Sequence, residues 1–279
     1  MTKLENKIDF VALATVKMAN PNGDPLNGNQ PRVDYDGLGE ISDVCVKRKL
    51  RNRMQDFLEP GSVFVQSQDR SDDGARSLSE RAKVFEKIKD SDEYSEKACE
   101  KWIDVRTFGQ VFAFKGNSIS VGVRGPVSIH QAVSVDPVEV NSMQITKSVN
   151  SETKDGKSSD TMGMKHFVKF GLYVIKGSIN VQLAEKTGFS NEDAELLKKC
   201  LKTLFVNDSS SARPDGSMEI SKLYWFKHNN KDGQYSSAKV HNSICISLKE
   251  GVDVPNSFDD YEVKLEHLDG LTPEIYEGL

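Results

Sequence analysis

The chain has 279 residues, 37% of them hydrophobic and 28% charged, with a formal charge of −5. This is an ordinary soluble mixture, long enough for a real core. The longest apolar runs, such as FVALA at 10–14, fall far short of the roughly 20 residues that span a bilayer. Residues 1–9 lack the apolar stretch of a signal peptide, so a cytoplasmic location and no membrane partner are expected. Cys45, Cys99, Cys200 and Cys245 form no CxxC pair, and the five histidines form no HExxH motif, which argues against a disulfide framework and a metal site. The charge is uneven: residues 251–279 hold eight acids and one lysine, leaving +2 on residues 1–250.

Residues 7–17 (KIDFVALATVK) are apolar and β-branched and predict a first strand. Residues 18–40 then lose all periodicity through Pro21, Gly23, Pro25, Gly28, Pro31, Gly37 and Gly39. Within them, 20–32 (NPNGDPLNGNQPR) carries many turn amides, with Asn22 and Arg32 as polar candidates. It suits a phosphate backbone, a neighbouring subunit or a plain turn-rich connection.

A helix is predicted from Ser42, a suitable N-cap, with Val46, Leu50, Met54 and Phe57 as its buried stripe and Pro60-Gly61 beyond its end. Its segment 44–54 (VCVKRKLRNRM) holds Lys47, Arg48, Lys49, Arg51 and Arg53 and no acid. Lys47 and Arg51 are one turn apart, with Arg48 beside them, so the pair can reach one phosphodiester track. Residues 63–104 read as a helical insert.

Strand character returns over 105–135 and 138–149. Residues 150–160 (NSETKDGKSSD) are polar and turn-like, and 166–181 is again a strand, so a long protruding hairpin is expected. Residues 190–206 predict a second helix with Ser190 and Asp193 at its start. Strands follow at 222–228 and 238–248, joined through Asp232-Gly233. The order predicts an α+β fold: a βαββαβ ferredoxin-like core with two insertions, the topology that also underlies the RNA-recognition motif.

Motifs for nucleotide binding or nucleophilic catalysis are absent: there is no GxxxxGK[ST], no complete GxGxxG and no GxSxG. Arg106, Arg124, Lys147, Lys165, His166 and Arg213 lie near predicted strand ends or loops, and each by itself reads as a surface charge.

In order, the chain carries Asn20-Pro-Asn-Gly-Asp-Pro25, Ser42-Asp-Val-Cys-Val-Lys-Arg-Lys49, Arg124-Gly-Pro-Val127, Gly163-Met-Lys-His166, Gly171-Leu-Tyr-Val174 and Ser211-Ala-Arg-Pro-Asp-Gly-Ser-Met218. With these it resembles the backbone subunit of CRISPR Cascade surveillance complexes, the Cas-seven family, and most closely the type I-C branch. The resemblance implies a hand: an RNA-recognition-type palm over 1–62 and 105–250, helical fingers at 63–104, a thumb hairpin at about 138–166 and an acidic C-terminal extension at 251–279.

It also implies several copies stacked head to tail along a CRISPR RNA, other Cascade subunits and target DNA as partners, and no cofactor or catalytic residue. The RNA-binding residues it implies are Ser42, Lys47, Arg48, Arg51, Asn22, Arg32, Arg106, Arg124, Lys147, Lys165, His166 and Arg213, with phosphates rather than bases as their targets. The aromatic signature of ordinary RNA-recognition motifs is missing; Phe167, Phe170 and Tyr173 do not reproduce it. Two other readings stand beside this one. One is an RNA endonuclease of the related type III kind using loop Asp34, with Asp36 nearby. The other is a ferredoxin-like small-molecule enzyme, for which no convergent polar set can be assembled.

Overall fold

The computed structural model describes residues 2–114, 120–146 and 162–278. The apolar first run forms β1 (Ile8–Ala19), buried without interruption from Ile8 to Val16, the pattern of a strand covered on both faces. The irregular stretch after it contains the small hairpin β2 (Gly23–Asp24) and β3 (Gln30–Pro31), then β4 (Leu38–Ile41) and the basic helix α1 (Asp43–Gln55). The insert supplies α2 (Leu78–Ala82), α3 (Ser91–Lys101), α4 (Ile103–Phe108) and the pair β5 (Gly109–Phe112) and β6 (Val121–Arg124).

Then come β7 (Val127–Ile129), β8 (Ala132–Pro137), β9 (Val140–Thr146), β10 (Met162–Ile179), α5 (Val181–Thr187) and α6 (Asn191–Lys202). The chain continues with β11 (Met218–Lys227), α7 (Ser237–Asn242), β12 (Ile244–Leu248), β13 (Tyr261–Leu265) and β14 (Glu274–Glu277).

Among the described residues the main sheet runs β14-β11-β1-β10-β8-β4, with β7 and β9 also on β10, and all of its pairings are antiparallel. β10 is long enough for two tasks. Val168 to Ile179 pair with β1, and from Val168 out to Met162 the strand pairs with β9. That outer stretch is the base of the expected hairpin; its tip, 150–160, and Lys147 lie outside the described residues.

Two apolar layers sandwich the sheet. On one face Val46, Leu50 and Met54 of α1 and Ala194, Leu197 and Leu201 of α6 share a core with Phe10, Ala12, Ala14 and Trp225. On the other, Val11, Leu13, Leu172, Tyr224 and Phe226 are covered by Val240, Ile244, Tyr261, Leu268 and Leu271. The insert has a core of its own, in which Phe64, Tyr94, Trp102 and Phe112 pack ring against ring.

Four sequence expectations change. The tail beyond 250 is no mere extension: β13 pairs with β12, β14 forms the edge of the main sheet against β11, and Leu268 and Leu271 are buried. Both faces of β1 and β11 are apolar, so something had to cover the second one. The strand expected from 105 begins at Gly109, since 103–108 is helical and ends where Gly109 takes φ 82°, open to glycine at little cost. The strand expected over 238–248 is α7 followed by β12, because Ser236 caps a helix by accepting from the Lys239 amide. The insert's core also extends past 104, to Phe112, Val121 and Val123.

Candidate nucleic-acid interface

The start of α1 and the loop before it form one unit. Ser42 Oγ accepts from the Cys45 amide at 3.3 Å, while the Ser42 amide and hydroxyl both donate to Asn22 Oδ1 at 2.9 Å. Asn20 Nδ2 donates to the Asn29 carbonyl at 2.8 Å and holds the loop closed. Two expected site residues, Ser42 and Asn22, are thus joined directly.

The five bases of α1 are acid-free in sequence but not in space. Lys47 pairs with Asp43 at 2.9 Å, Arg53 with Asp56 at 2.7 Å, and Lys49 with Asp208. Arg51 Nε lies 2.9 Å from Asp104 Oδ2, and the same carboxylate accepts from the Phe64 and Val65 amides at 2.6 and 3.0 Å. The Arg51 guanidinium also covers the Phe108 ring. The expected free track of Lys47 and Arg51 therefore does not form: Arg51 is a half-buried rivet between the helix and the insert, held on the buried Asp104. Arg48 is the exception, with Nε on the neutral Asn52 Oδ1 at 3.3 Å.

Arg48 opens into a cleft of about 400 Å³ between α1, residues 67–70 and the loop after α6. Asn22, Lys49, Asn52, Arg70 and Arg213 line it as well. Asp208 Oδ2 receives Lys49 Nζ and, at 3.2 Å, Arg213 Nε. Burial draws the Lys49 ammonium below its ordinary pKa against the pull of Asp208, and burial pushes the Cys45 thiol up.

Each engaged group leaves a donor end over. Asn22 Oδ1 is taken by Ser42 and Asn52 Oδ1 by Arg48 Nε, so both NH2 groups are without a partner among the described residues. Arg48 and Arg213 each use only Nε, and their terminal nitrogens are likewise unpaired among the described residues. A cleft rich in such donors suits a ligand of anionic and sugar oxygens.

The remaining expected residues lie elsewhere. Arg32 sits beside this loop, 3.4 Å from Asp24. Arg106 is bound inward, both guanidinium arms on Asp193 at 2.9 and 2.8 Å, and borders a separate cavity of about 220 Å³ between α3 and α5. Arg124 ends β6, exposed and opposite Gly109. Lys165 and His166 stand on the outer stretch of β10, where His166 Nδ1 is 2.7 Å from Ser142 Oγ. Asp34 Oδ1 accepts from the Asp36 and Leu38 amides at 2.9 and 2.8 Å, so that oxygen is occupied in shaping its own turn. Asn52 and Arg70 went unread in the sequence. Asn52 stands one turn beyond Arg48 and could have been found by that spacing, whereas Arg70 reaches the cleft only through the tertiary fold. Among the described residues no cluster of His, Cys, Asp or Glu could hold a metal ion.

The family described as "CRISPR-associated protein Cas7" matches residues 6–266, and the chain belongs to that family. A relative from Haloferax volcanii, "CRISPR-associated protein Cas7", is 26% identical over 234 residues, spanning 76% of this chain and 67% of the relative. Among solved structures, a chain of a "CRISPR RNA-guided surveillance complex, pre-nicking" shares the fold with a TM-score of 0.53 at 15% identity, over 89% of this chain and 84% of that one. No helix among the described residues is long and apolar enough to cross a membrane.

Proposed function

We propose that this chain is the non-catalytic RNA-binding backbone subunit of a CRISPR RNA-guided surveillance complex of the type I-C Cascade kind. It stacks in several copies head to tail along the guide RNA in the cytoplasm, beside other Cascade subunits, and presents the guide for pairing with target DNA. The observation that carries the reading is the cleft. Asn22, Arg48 and Arg213, from three separate segments, converge there with donors to spare, which is what sequence-blind binding of a ribose-phosphate backbone needs.

The palm reading is supported by the order β11-β1-β10 followed by β7 and β8, with α1 after β1 and α6 after β10, as in a ferredoxin-like core. The thumb reading is supported by the β9–β10 hairpin, which presents exposed Met143, Ile145, Met162 and Met164. Apolar side chains of that kind can wedge between the bases of a strand held by a neighbouring copy. Cleavage through Asp34 has less support, because one of its carboxylate oxygens is committed to the turn.

Head-to-tail stacking is a heterologous contact that does not close on itself, and a shared RNA raises the effective concentration of the next copy. Light scattering of the purified chain with single-stranded RNAs of increasing length, at low salt, should give a mass that grows with RNA length. A mass that stays fixed across the series would count against the filament.

A further inference from the structure

Resting on that reading, we propose that Asn22 and Asn52 are specificity-determining residues: they make the cleft select ribose over deoxyribose. Two kinds of donor line this cleft. The terminal nitrogens of Arg48 and Arg213 are charged forks, matched to phosphate oxygens. The NH2 groups of Asn22 and Asn52 are neutral, and each is turned by the bond its own amide oxygen makes. For Asn22 that bond comes from the Ser42 amide and hydroxyl at 2.9 Å, and for Asn52 from Arg48 Nε at 3.3 Å. Flipping either amide would put donor against donor, so the orientation is fixed by the network.

A neutral donor adds little to phosphate binding next to two guanidinium groups. It can serve a ribose hydroxyl, which both donates and accepts and is the group that separates RNA from DNA. Among the described residues Asp208 makes no bond to either amide: its Oδ2 receives Lys49 and Arg213, and the other lining acid, Asp69, is exposed. Against deoxyribose the two NH2 groups lose their partner, and a site built to bond a hydroxyl discriminates against the analogue that lacks it. Asn52 lies one helical turn from Arg48, so a single nucleotide can meet the cation and the amide together.

The experiment measures binding of single-stranded oligouridylate and oligodeoxyuridylate of equal length by fluorescence anisotropy over a salt series. The proteins are the full chain, Asn22→Ala, Asn52→Ala and Arg48→Ala, each with its melting temperature. The full chain should bind the RNA more tightly than the DNA. Asn52→Ala should lose roughly 2- to 12-fold in RNA affinity, the range of one net hydrogen bond, and distinctly less in DNA affinity, because the loss of Arg48's Nε partner acts on both ligands alike. Arg48→Ala should weaken both ligands and lower the salt slope by about 0.7.

If Asn22→Ala melts early because Ser42 loses its partner, Asn52→Ala and the unmodified chain decide the matter. Equal affinity of the full chain for the two ligands, or an equal loss on both in Asn52→Ala, overturns the ribose assignment and leaves the RNA-backbone reading standing. Binding of neither ligand overturns that reading itself.

Discussion

Arg48 and Arg51 differ by three positions in one helix and have opposite tasks. Arg48 faces a cleft with its terminal nitrogens unpaired among the described residues, whereas Arg51 is only 13% exposed and lies against Asp104, which is 1% exposed. Truncating one partner of a buried pair leaves the other charge stranded, at a cost of about 3–5 kcal/mol. Arg51→Ala should therefore unfold at distinctly lower denaturant concentration. Arg48→Ala should unfold close to the parent and lose only nucleic-acid binding. Denaturant titration of the two variants side by side checks this, and equal loss of stability in both would place Arg48 in the fold as well. The sequence made the five bases of α1 visible, but their partners Asp56, Asp104 and Asp208 are 3, 53 and 159 residues from the bases they pair with. The first of these is an ordinary helical spacing, but no local pattern reports separations of 53 and 159.

At the scale of elements, the acidic tail shows how far local composition misleads. Its eight acids suggest a solvated extension. Its few apolar residues, Tyr261, Leu268 and Leu271, instead close the second face of the sheet, and β14 pairs with β11 from Lys222 to Trp225. This layer lies on the face opposite α1 and α6, where an ordinary RNA-recognition motif displays its aromatics. Phe170 is buried beneath the layer and Tyr173 is buried on the helix side, so neither can stack on a base. The missing aromatic signature thus has a structural cause. Leu271→Ala should cost about 2–5 kcal/mol, as for other large-to-small core changes, measured by thermal or denaturant unfolding. A loss below ~0.5 kcal/mol would mean that the tail does not seal this face.

At the scale of the whole molecule, a buried polar cluster ties the sheet to that covering layer. Asp9 of β1 receives Lys7 Nζ at 3.0 Å and His228 Nε2 at 2.8 Å. His228 Nδ1 accepts from the Gln234 amide at 2.9 Å, which leaves the ring proton on Nε2 to donate to Asp9. From α7, His241 Nε2 donates to the Gly177 carbonyl at 2.9 Å, edge-on to His130. Burial acts to raise Asp9, but the bonds from His228 and Lys7 outweigh it and hold the carboxyl below its usual range. Burial also holds His241 below its ordinary 6.5.

Both shifts have the same sign for stability. The unfolded chain binds more protons than the fold once the pH falls below each ordinary value. The His241 contribution is complete above about pH 6.5 and is lost as the pH falls toward its lower folded value, and that of Asp9 is lost only in stronger acid. The melting temperature should therefore drop between pH 7.5 and pH 5.5, and His241→Gln should shrink that drop. An identical drop in the variant would assign the acid sensitivity to other groups.

The sequence by itself determined the main strands, the capped helices and the outline of an α+β core. Those features follow from short-range chemistry: apolar periodicity, Ser at the start of α1 and α6, and Gly at turns. The ordered motifs also pointed to the right family, because many weak local matches in fixed order constrain one another. Only the tertiary structure decided which bases are free. Ion pairing depends on distances in space, so Arg51 and Arg106 were claimed by Asp104 and Asp193, whereas Asn22, Arg48, Asn52 and Arg213 were gathered around one cleft. It also decided the fate of the tail, since the need to cover the second face of β1 arises only once the sheet is assembled around it.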